Sequence, residues 1–174
     1  DISYPICPET LPGKELVKDL YFYLTYKHNL GWKHTCVKPV TALKKYNILA
    51  NDISFLTITK NPYSWLLSLH RNPYHLYCGK PDFETFLVTP LKTIGRDNCS
   101  KTLRNPMELW NAKNASYLQL TELNCLNITT ESIFEDPKTV VNKIGTQFSI
   151  DRISSEFVDF EQSTKDKNKD THYY

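Results

Sequence analysis

Residues 55–75 read FLTITKNPYSWLLSLHRNPYH, and this stretch decides how the chain folds. Its first part alternates in the manner of a half-buried strand, which predicts a strand over SFLTIT. Asn61 and Pro62 follow, and these residue types cap and begin helices. The spacing after them is helical. The sequence therefore predicts a strand–helix junction, with the cation of Lys60 placed at the point where the strand ends.

Further helices are indicated by apolar spacing and by capping residues. Apolar positions from Leu16 to Leu24 recur with helical period, which predicts a helix within residues 14–29. The segment TALKKYNILAN is typical of a short helix or turn. Asn105 before Pro106 and Asp136 before Pro137 predict two more capped helices.

Strand-like segments alternate with these helices. GWKHTCV, residues 31–37, is read as a strand, and NCLNITTESIFEDP as a strand followed by a turn. Such alternation predicts an α/β fold with a parallel sheet flanked by helices, in one domain over residues 1–174. We expect GWKHTCV and SFLTIT to be parallel neighbours. Residues 1–13 are predicted to be irregular and residues 163–174 to form a charged, mobile tail.

Composition narrows the function classes. The chain has 174 residues, 40% of them hydrophobic, which suits a single core, and its formal net charge of +2 gives no global field that attracts nucleic acid. No apolar run of about 20 residues is present, so no membrane span is expected. The five cysteines lack the spacing of a zinc site, so no metal is expected, and their odd number leaves at least one outside an intramolecular disulfide.

The compartment stays open between the cytoplasm, which is favoured, and the lumen of the secretory pathway. No signal peptide is visible in the sequence. Three glycosylation sequons, at Asn98, Asn114 and Asn127, do not establish secretion, because about two would arise by chance in a chain so rich in Asn, Ser and Thr.

The junction after SFLTIT has the residue types of an anion site. In parallel α/β folds, ligands bind beyond the carboxyl ends of the strands, where Lys60 lies. The helix that begins at Pro62 would add free amides and a positive dipole end. Ser64 and Ser68 are one helical turn apart and share a face. These features predict a phosphate or sulfate site; the alternative is an ordinary helix start preceded by a lysine.

TKNPYSWLLS resembles the motif with which sulfotransferases hold the 3′-phosphate of the donor 3′-phosphoadenosine 5′-phosphosulfate. That motif is a basic residue, then x-Pro, then a serine eight positions after the basic residue. Lys60, Pro62 and Ser68 match it, although the family usually has arginine at the first position. GWKHT resembles the strand end that carries the family's catalytic base, which falls on His34. With the two later helices, the resemblance covers residues 30–150.

The resemblance implies a P-loop-like sulfotransferase fold and transfer of a sulfuryl group to a hydroxyl or amine, on a carbohydrate or small metabolite. His34 would then be the general base. Lys33 would either stabilise the donor or face solvent. His70, Arg71, His75 and Arg104 are candidates for an acceptor cleft, or else surface and capping residues. The oligomeric state is not readable from the sequence.

One motif of the family is incomplete. Its first phosphate loop reads roughly P-[KR]-x-G-[TS]-[TS], and the nearest segment here is LPGKEL, which offers Gly13 and Lys14 but has Glu15 where hydroxyls belong. We expect that the loop lies upstream of Asp1, or has diverged, or that the chain is a catalytically silent binding or interaction module. Lys165, Lys167 and Lys169 are candidates for a late basic loop. A nucleotide kinase is disfavoured, because G-x-x-x-x-G-K-[ST] is absent from the sequence.

Overall fold

The computed structural model describes residues 13–49, 53–73 and 81–159, with side chains from residue 16 onward. These ranges exclude several segments for which the sequence made predictions. They are the tail at residues 163–174 with the three lysines of its late loop, His75, and the irregular segment up to residue 12. In the described ranges, the fold is mixed α/β. Its helices are α1 Gly13–Leu24, α2 Val40–Lys45, α3 Pro62–Arg71, α4 Phe83–Val88, α5 Pro106–Leu118, α6 Thr130–Glu135 and α7 Pro137–Phe148. Its strands are β1 Phe55–Thr59, β2 Leu91–Lys92, β3 Thr102–Leu103 and β4 Cys125–Thr129.

The parallel sheet consists of β1 and β4 in the part of the chain that the structure describes. Their register runs from Phe55 opposite Cys125 to Thr59 opposite Thr129, so both strands end at the same edge. The predicted α/β class and the presence of a parallel sheet are therefore confirmed, in this smaller form. A second pair, β2 with β3, is antiparallel.

The prediction of a strand at GWKHTCV is wrong. Residues 31–37 form a turn and an irregular segment, and the parallel partner of β1 is β4. Gly31 has φ = 104°, a conformation that a strand does not use and that other residues rarely adopt. The Thr35 amide then donates to the Trp32 carbonyl at 2.9 Å, which closes a tight turn. Apolar and β-branched residues gave this segment a strand-like pattern, but its backbone is turned back on itself.

The sheet packs against α7 through one face of β4. Leu126 and Ile128 are buried there with Val140. Leu56 and Ile58 are paired with them in register and lie on the same face, yet they are 42% and 53% exposed. The sheet is thus covered over β4 more fully than over β1. None of the helices in the described ranges has the length and apolar character needed to cross a membrane.

The predicted helix starts are confirmed by their caps. Asn61, Asn105 and Asp136 each accept a hydrogen bond from the backbone amide three residues later, and each precedes a proline in the first turn of its helix. Two boundaries differ from the sequence analysis. Helix α1 ends at Leu24 instead of continuing to residue 29, and the turn predicted after β4 is the helix α6.

Removing the cap of α5 should weaken the fold measurably. Asn105 Oδ1 accepts the Glu108 amide at 3.1 Å, so Asn105→Ala leaves that amide without its partner. We expect a loss of about 1 kcal/mol in the free energy of unfolding and a thermal midpoint lower by roughly 2–4 °C. Asn105→Ser, which keeps a capping oxygen, is the control and should stay near the parent in thermal denaturation. Equal midpoints for the Ala and Ser variants would show that the cap contributes nothing.

Candidate functional site

Lys60 and Ser68 meet at the end of β1. Lys60 follows the strand, and its Nζ donates a hydrogen bond to Ser68 Oγ at 3.1 Å. Ser68 lies within α3 and in turn donates to the Ser64 carbonyl at 2.9 Å. The two side chains that match the motif are thus in direct contact. An ammonium and a hydroxyl side by side are the groups that bind a phosphate or sulfate oxygen.

Three side chains from other elements fix this junction. The indole Nε1 of Trp110, on α5, donates to the Lys60 carbonyl at 2.9 Å. The Thr130 hydroxyl, at the start of α6, donates to the Thr59 carbonyl at 3.0 Å. The Asn61 amide donates to Glu131 Oε1 at 3.0 Å. The backbone that carries Lys60 is thus held from two neighbouring helices, which limits the positions open to its side chain.

The charges at the junction influence each other. Burial lowers the pKa of Lys60, and the nearby carboxylate of Glu131 opposes that shift. Desolvation pushes the pKa of Glu131 upward, but hydrogen bonds from Asn61 and the charge of Lys60 bring it below its usual value. A partly desolvated ammonium is a stronger partner for an anion than one in bulk water, because solvent screens it less. Glu131 in turn reduces the positive potential at the same point.

The amides at the start of α3 contribute less than the sequence suggested. The Ser64 amide is bound by Asn61 Oδ1 at 2.9 Å, and the Asn61 amide is bound by Glu131. Ser64 Oγ also accepts from Asn61 Nδ2 at 3.2 Å, so Ser64 belongs to the helix cap. The expectation of free amides beside Lys60 is corrected for these two groups. An anion site here would therefore depend on the side chains of Lys60 and Ser68.

His34 and Lys33 lie on the turn that replaces the predicted strand. Both side chains are exposed, and the imidazole of His34 meets the indole of Trp32 edge to face, with ring centroids 4.9 Å apart. Trp32 also stacks against the guanidinium of Arg96 at 4.4 Å. Arg96 is bound to Asp19 of α1 at 2.6 Å, with both side chains almost fully buried. Neither side chain lies on a strand, because residues 31–37 form a turn and an irregular segment.

The backbone around His34 is well anchored. The Tyr117 hydroxyl donates to the Thr35 carbonyl at 3.5 Å, and the Val37 amide donates to Ser116 Oγ at 2.9 Å. Burial raises the pKa of Tyr117 to about 12, so the hydroxyl remains a donor at neutral pH. The ammonium of Lys38 is buried and donates to the carbonyls of Tyr26 and Asn29 at the end of the α1 region. The backbone of the turn that carries His34 is therefore held in place by these contacts.

Helix α5 contacts both halves of the candidate site, the Lys60 junction and the His34 turn. Trp110 holds the Lys60 carbonyl, and Tyr117 holds the Thr35 carbonyl next to His34. Seven residues separate these two side chains, which is close to two helical turns, so they share one face about 10 Å apart along the axis. The lysine and histidine regions are therefore neighbours along a single rigid element.

The other candidate site residues proposed from the sequence lie in different structural environments. Gly13 and Lys14 lie in the first turn of α1, so the backbone of this part of LPGKEL is helical. The ring of His70 packs at 5.2 Å from both Phe83 and Phe86, and its Nε2 lies 2.9 Å from the Pro81 carbonyl. Arg104 is paired with Glu108 in the same stretch of chain. These contacts within the fold explain the presence of His70 and Arg104 without a role in an acceptor cleft.

Sequence reasoning missed Thr130 and Glu131. Both directly follow β4, and a parallel neighbour of β1 must bring its own end to the edge where Lys60 lies. That topological signal would have found them once β4 was recognised as the partner of β1. Trp110 is half-buried, and nothing in the sequence indicated that its indole N–H would donate to the Lys60 carbonyl.

Among the described residues, no cluster of three or more His, Cys, Asp or Glu is arranged to hold a metal ion. Comparisons of the chain with protein-family models, curated proteins and solved structures find no match.

Proposed function

We propose that this protein is a sulfotransferase that moves a sulfuryl group from 3′-phosphoadenosine 5′-phosphosulfate to a hydroxyl or amine of a carbohydrate or small metabolite. The observation that carries the proposal is the contact of Lys60 Nζ with Ser68 Oγ, 3.1 Å apart beyond the end of β1. These two side chains fall on the positions at which the sulfotransferase motif binds the 3′-phosphate of the donor.

The spacing along α5 supports the same activity. The donor has its 3′-phosphate at one part of the nucleotide and its transferable sulfuryl group at another. A site for it needs an anion contact and a proton acceptor that are separated yet rigidly connected. Lys60 and the His34 turn meet this need, because both are held by one face of α5. Fixed relative positions of this kind lower the entropic cost of reaching the transition state.

In this mechanism, Lys60 and Ser68 bind the 3′-phosphate and set the position of the nucleotide. His34 accepts the proton of the acceptor hydroxyl or amine while the new bond to sulfur forms, which is general-base catalysis. The bond from sulfur to the bridging phosphate oxygen breaks in the same step, and 3′-phosphoadenosine 5′-phosphate leaves. Histidine suits this step because its side chain exchanges protons near neutral pH. Lys33, exposed beside His34, would offset the negative charge that develops on the bridging oxygen. The fold would supply positions and charges, with no covalent intermediate on the protein.

Replacing the lysine tests the donor site. Lys60→Ala removes one charge-assisted contact, so the affinity for 3′-phosphoadenosine 5′-phosphate should fall by about 1.5–3 kcal/mol, roughly 10- to 150-fold. Calorimetric titration measures it. Lys44→Ala is the matched control, because it removes one exposed positive charge from α2 and should bind like the parent. Equal affinity of the Lys60→Ala variant and the parent would refute the assignment.

A second candidate function is a silent binding module of the same fold. The segment LPGKEL favours it, because Glu15 stands where the family's phosphate loop has hydroxyls and its carboxylate would repel the anionic donor. Such a module would bind the nucleotide through Lys60 without transferring the sulfuryl group. An assay of sulfate transfer separates the two functions: tight nucleotide binding with no transfer to any alcohol, amine or carbohydrate tested would favour the module.

A further inference from the structure

Two cysteines that are far apart in the sequence meet beside the His34 turn. The Cys36 amide donates to the Asp97 carbonyl at 2.9 Å, and Asn98 Nδ2 donates to the Cys36 carbonyl at 3.1 Å. These contacts bring Cys36 against the segment that contains Cys99, and the two thiol groups are hydrogen-bonded to each other. Cys36 is 5% exposed, whereas Cys99 is only partly buried and is the more accessible of the two.

The surroundings of the pair favour a thiolate on Cys99. The hydrogen bond from Cys36 lowers the pKa of Cys99, while the same bond, followed by burial, raises the pKa of Cys36. The ammonium of Lys113, 5% exposed and 3.5 Å from Asp97 Oδ1, also favours the thiolate form of both groups, whereas burial and the carboxylate of Asp97 oppose it. An accessible thiolate beside a buried second thiol is the arrangement of an attacking and a resolving cysteine.

We propose that Cys36 and Cys99 form a redox-responsive disulfide by exchange with a low-molecular-weight disulfide such as glutathione disulfide. The Cys99 thiolate attacks one sulfur of glutathione disulfide, expels a glutathione thiolate and forms a mixed disulfide. Cys36 gives its proton to the released thiolate, attacks Sγ of Cys99 and expels the second glutathione. Two protein thiols are thereby oxidised to one disulfide, and one glutathione disulfide is reduced to two glutathione molecules.

This bond would join the turn that carries His34 to the turn that carries Arg96. It would close a long loop of chain, and such cross-links stabilise mainly by restricting the unfolded state. The oxidised protein should therefore resist thermal unfolding more than the reduced protein. The proposal does not depend on the sulfotransferase activity, because the pairing and its effect on stability are measured without substrate.

Peptide mapping tests the pairing directly. The parent protein is incubated with glutathione disulfide, its remaining thiols are alkylated, and it is digested with trypsin without reduction. We expect the peptide 34–44 to be recovered joined to the peptide 97–101, since trypsin cuts after Lys33, Arg96 and Lys101. Recovery of both peptides with alkylated thiols, with glutathione retained on Cys99, or joined to other cysteines would overturn the proposal.

Thermal midpoints give the second measurement. Oxidation should raise the midpoint of the parent by roughly 5–15 °C, and reduction should reverse the rise. Cys125→Ser is the matched control and should keep the rise, because Cys125 lies on β4. Cys99→Ser should lose it. If that variant does not fold, the peptide map of the parent protein still decides the question. A rise that persists in Cys99→Ser would contradict the proposed pairing.

Discussion

Replacing Asp19 by Ala is expected to reduce the free energy of unfolding by about 3–5 kcal/mol, the largest effect of a single substitution that we expect in this protein. Asp19 and Arg96 form an ion pair of 2.6 Å with side chains 2% and 1% exposed. Removing the carboxylate leaves the guanidinium desolvated without its counter-charge, which costs more than the pair itself contributes. A domain is stable by only about 5–15 kcal/mol, so the variant should unfold at much lower denaturant concentration.

Chemical denaturation with two matched variants gives this prediction its control. Asp151→Ala removes an exposed carboxylate and should change stability by less than about 0.5 kcal/mol. The double variant Asp19→Leu/Arg96→Met replaces both charges with apolar groups and should recover most of the loss, since both members of the pair are removed together. Asp19→Ala with a stability within 1 kcal/mol of the parent would show that the buried pair does not hold α1 to the turn at Arg96.

His34→Ala should lower the turnover of sulfate transfer by about a hundredfold or more, the usual scale for loss of a general base. Donor affinity should change little, because the base contacts the acceptor. Stability should also change little, by about 0.5 kcal/mol or less, since His34 is exposed. Transfer of labelled sulfate, donor titration and thermal denaturation on the same sample measure all three quantities.

Two controls make the result at His34 specific. His28→Ala removes another exposed histidine, at the end of the α1 region, and should keep the turnover of the parent. Imidazole added to His34→Ala should restore part of the rate, because it replaces the missing proton acceptor, and it should have no effect on the parent. Unchanged turnover in His34→Ala would remove the histidine from the mechanism. A parent protein without any transfer activity would leave the silent binding module as the better proposal.

Local signals in the sequence were sufficient to predict the strand–helix junction at Lys60. Asn61 and Pro62 define the helix start through contacts within four residues, and such contacts follow from residue type alone. The same reasoning predicted the starts of α5 and α7. The strand β1 followed from alternation, but its partner could not be read from it, because pairing depends on which elements meet in space.

The conformation of the His34 turn could not be predicted from the sequence, for the same physical reason. Its backbone is held by Ser116 and Asp97, both more than 60 positions away, and no local pattern reports such contacts. Lys38 illustrates the difficulty, because a lysine is expected at the surface and this one is buried under backbone carbonyls. The position of Glu131 at the Lys60 junction likewise could not be predicted until β4 was known to pair with β1.

The central claim is that Lys60 and Ser68 bind the 3′-phosphate of the donor nucleotide. The most direct test is a calorimetric comparison of 3′-phosphoadenosine 5′-phosphate with adenosine 5′-phosphate, which lacks only that phosphate, on the parent protein and on Lys60→Ala. We predict that the parent prefers the bisphosphate by roughly 10- to 100-fold and that the substitution removes most of this preference while affecting adenosine 5′-phosphate little. Equal affinity of the parent for both nucleotides, or a preference that survives in Lys60→Ala, would contradict the account.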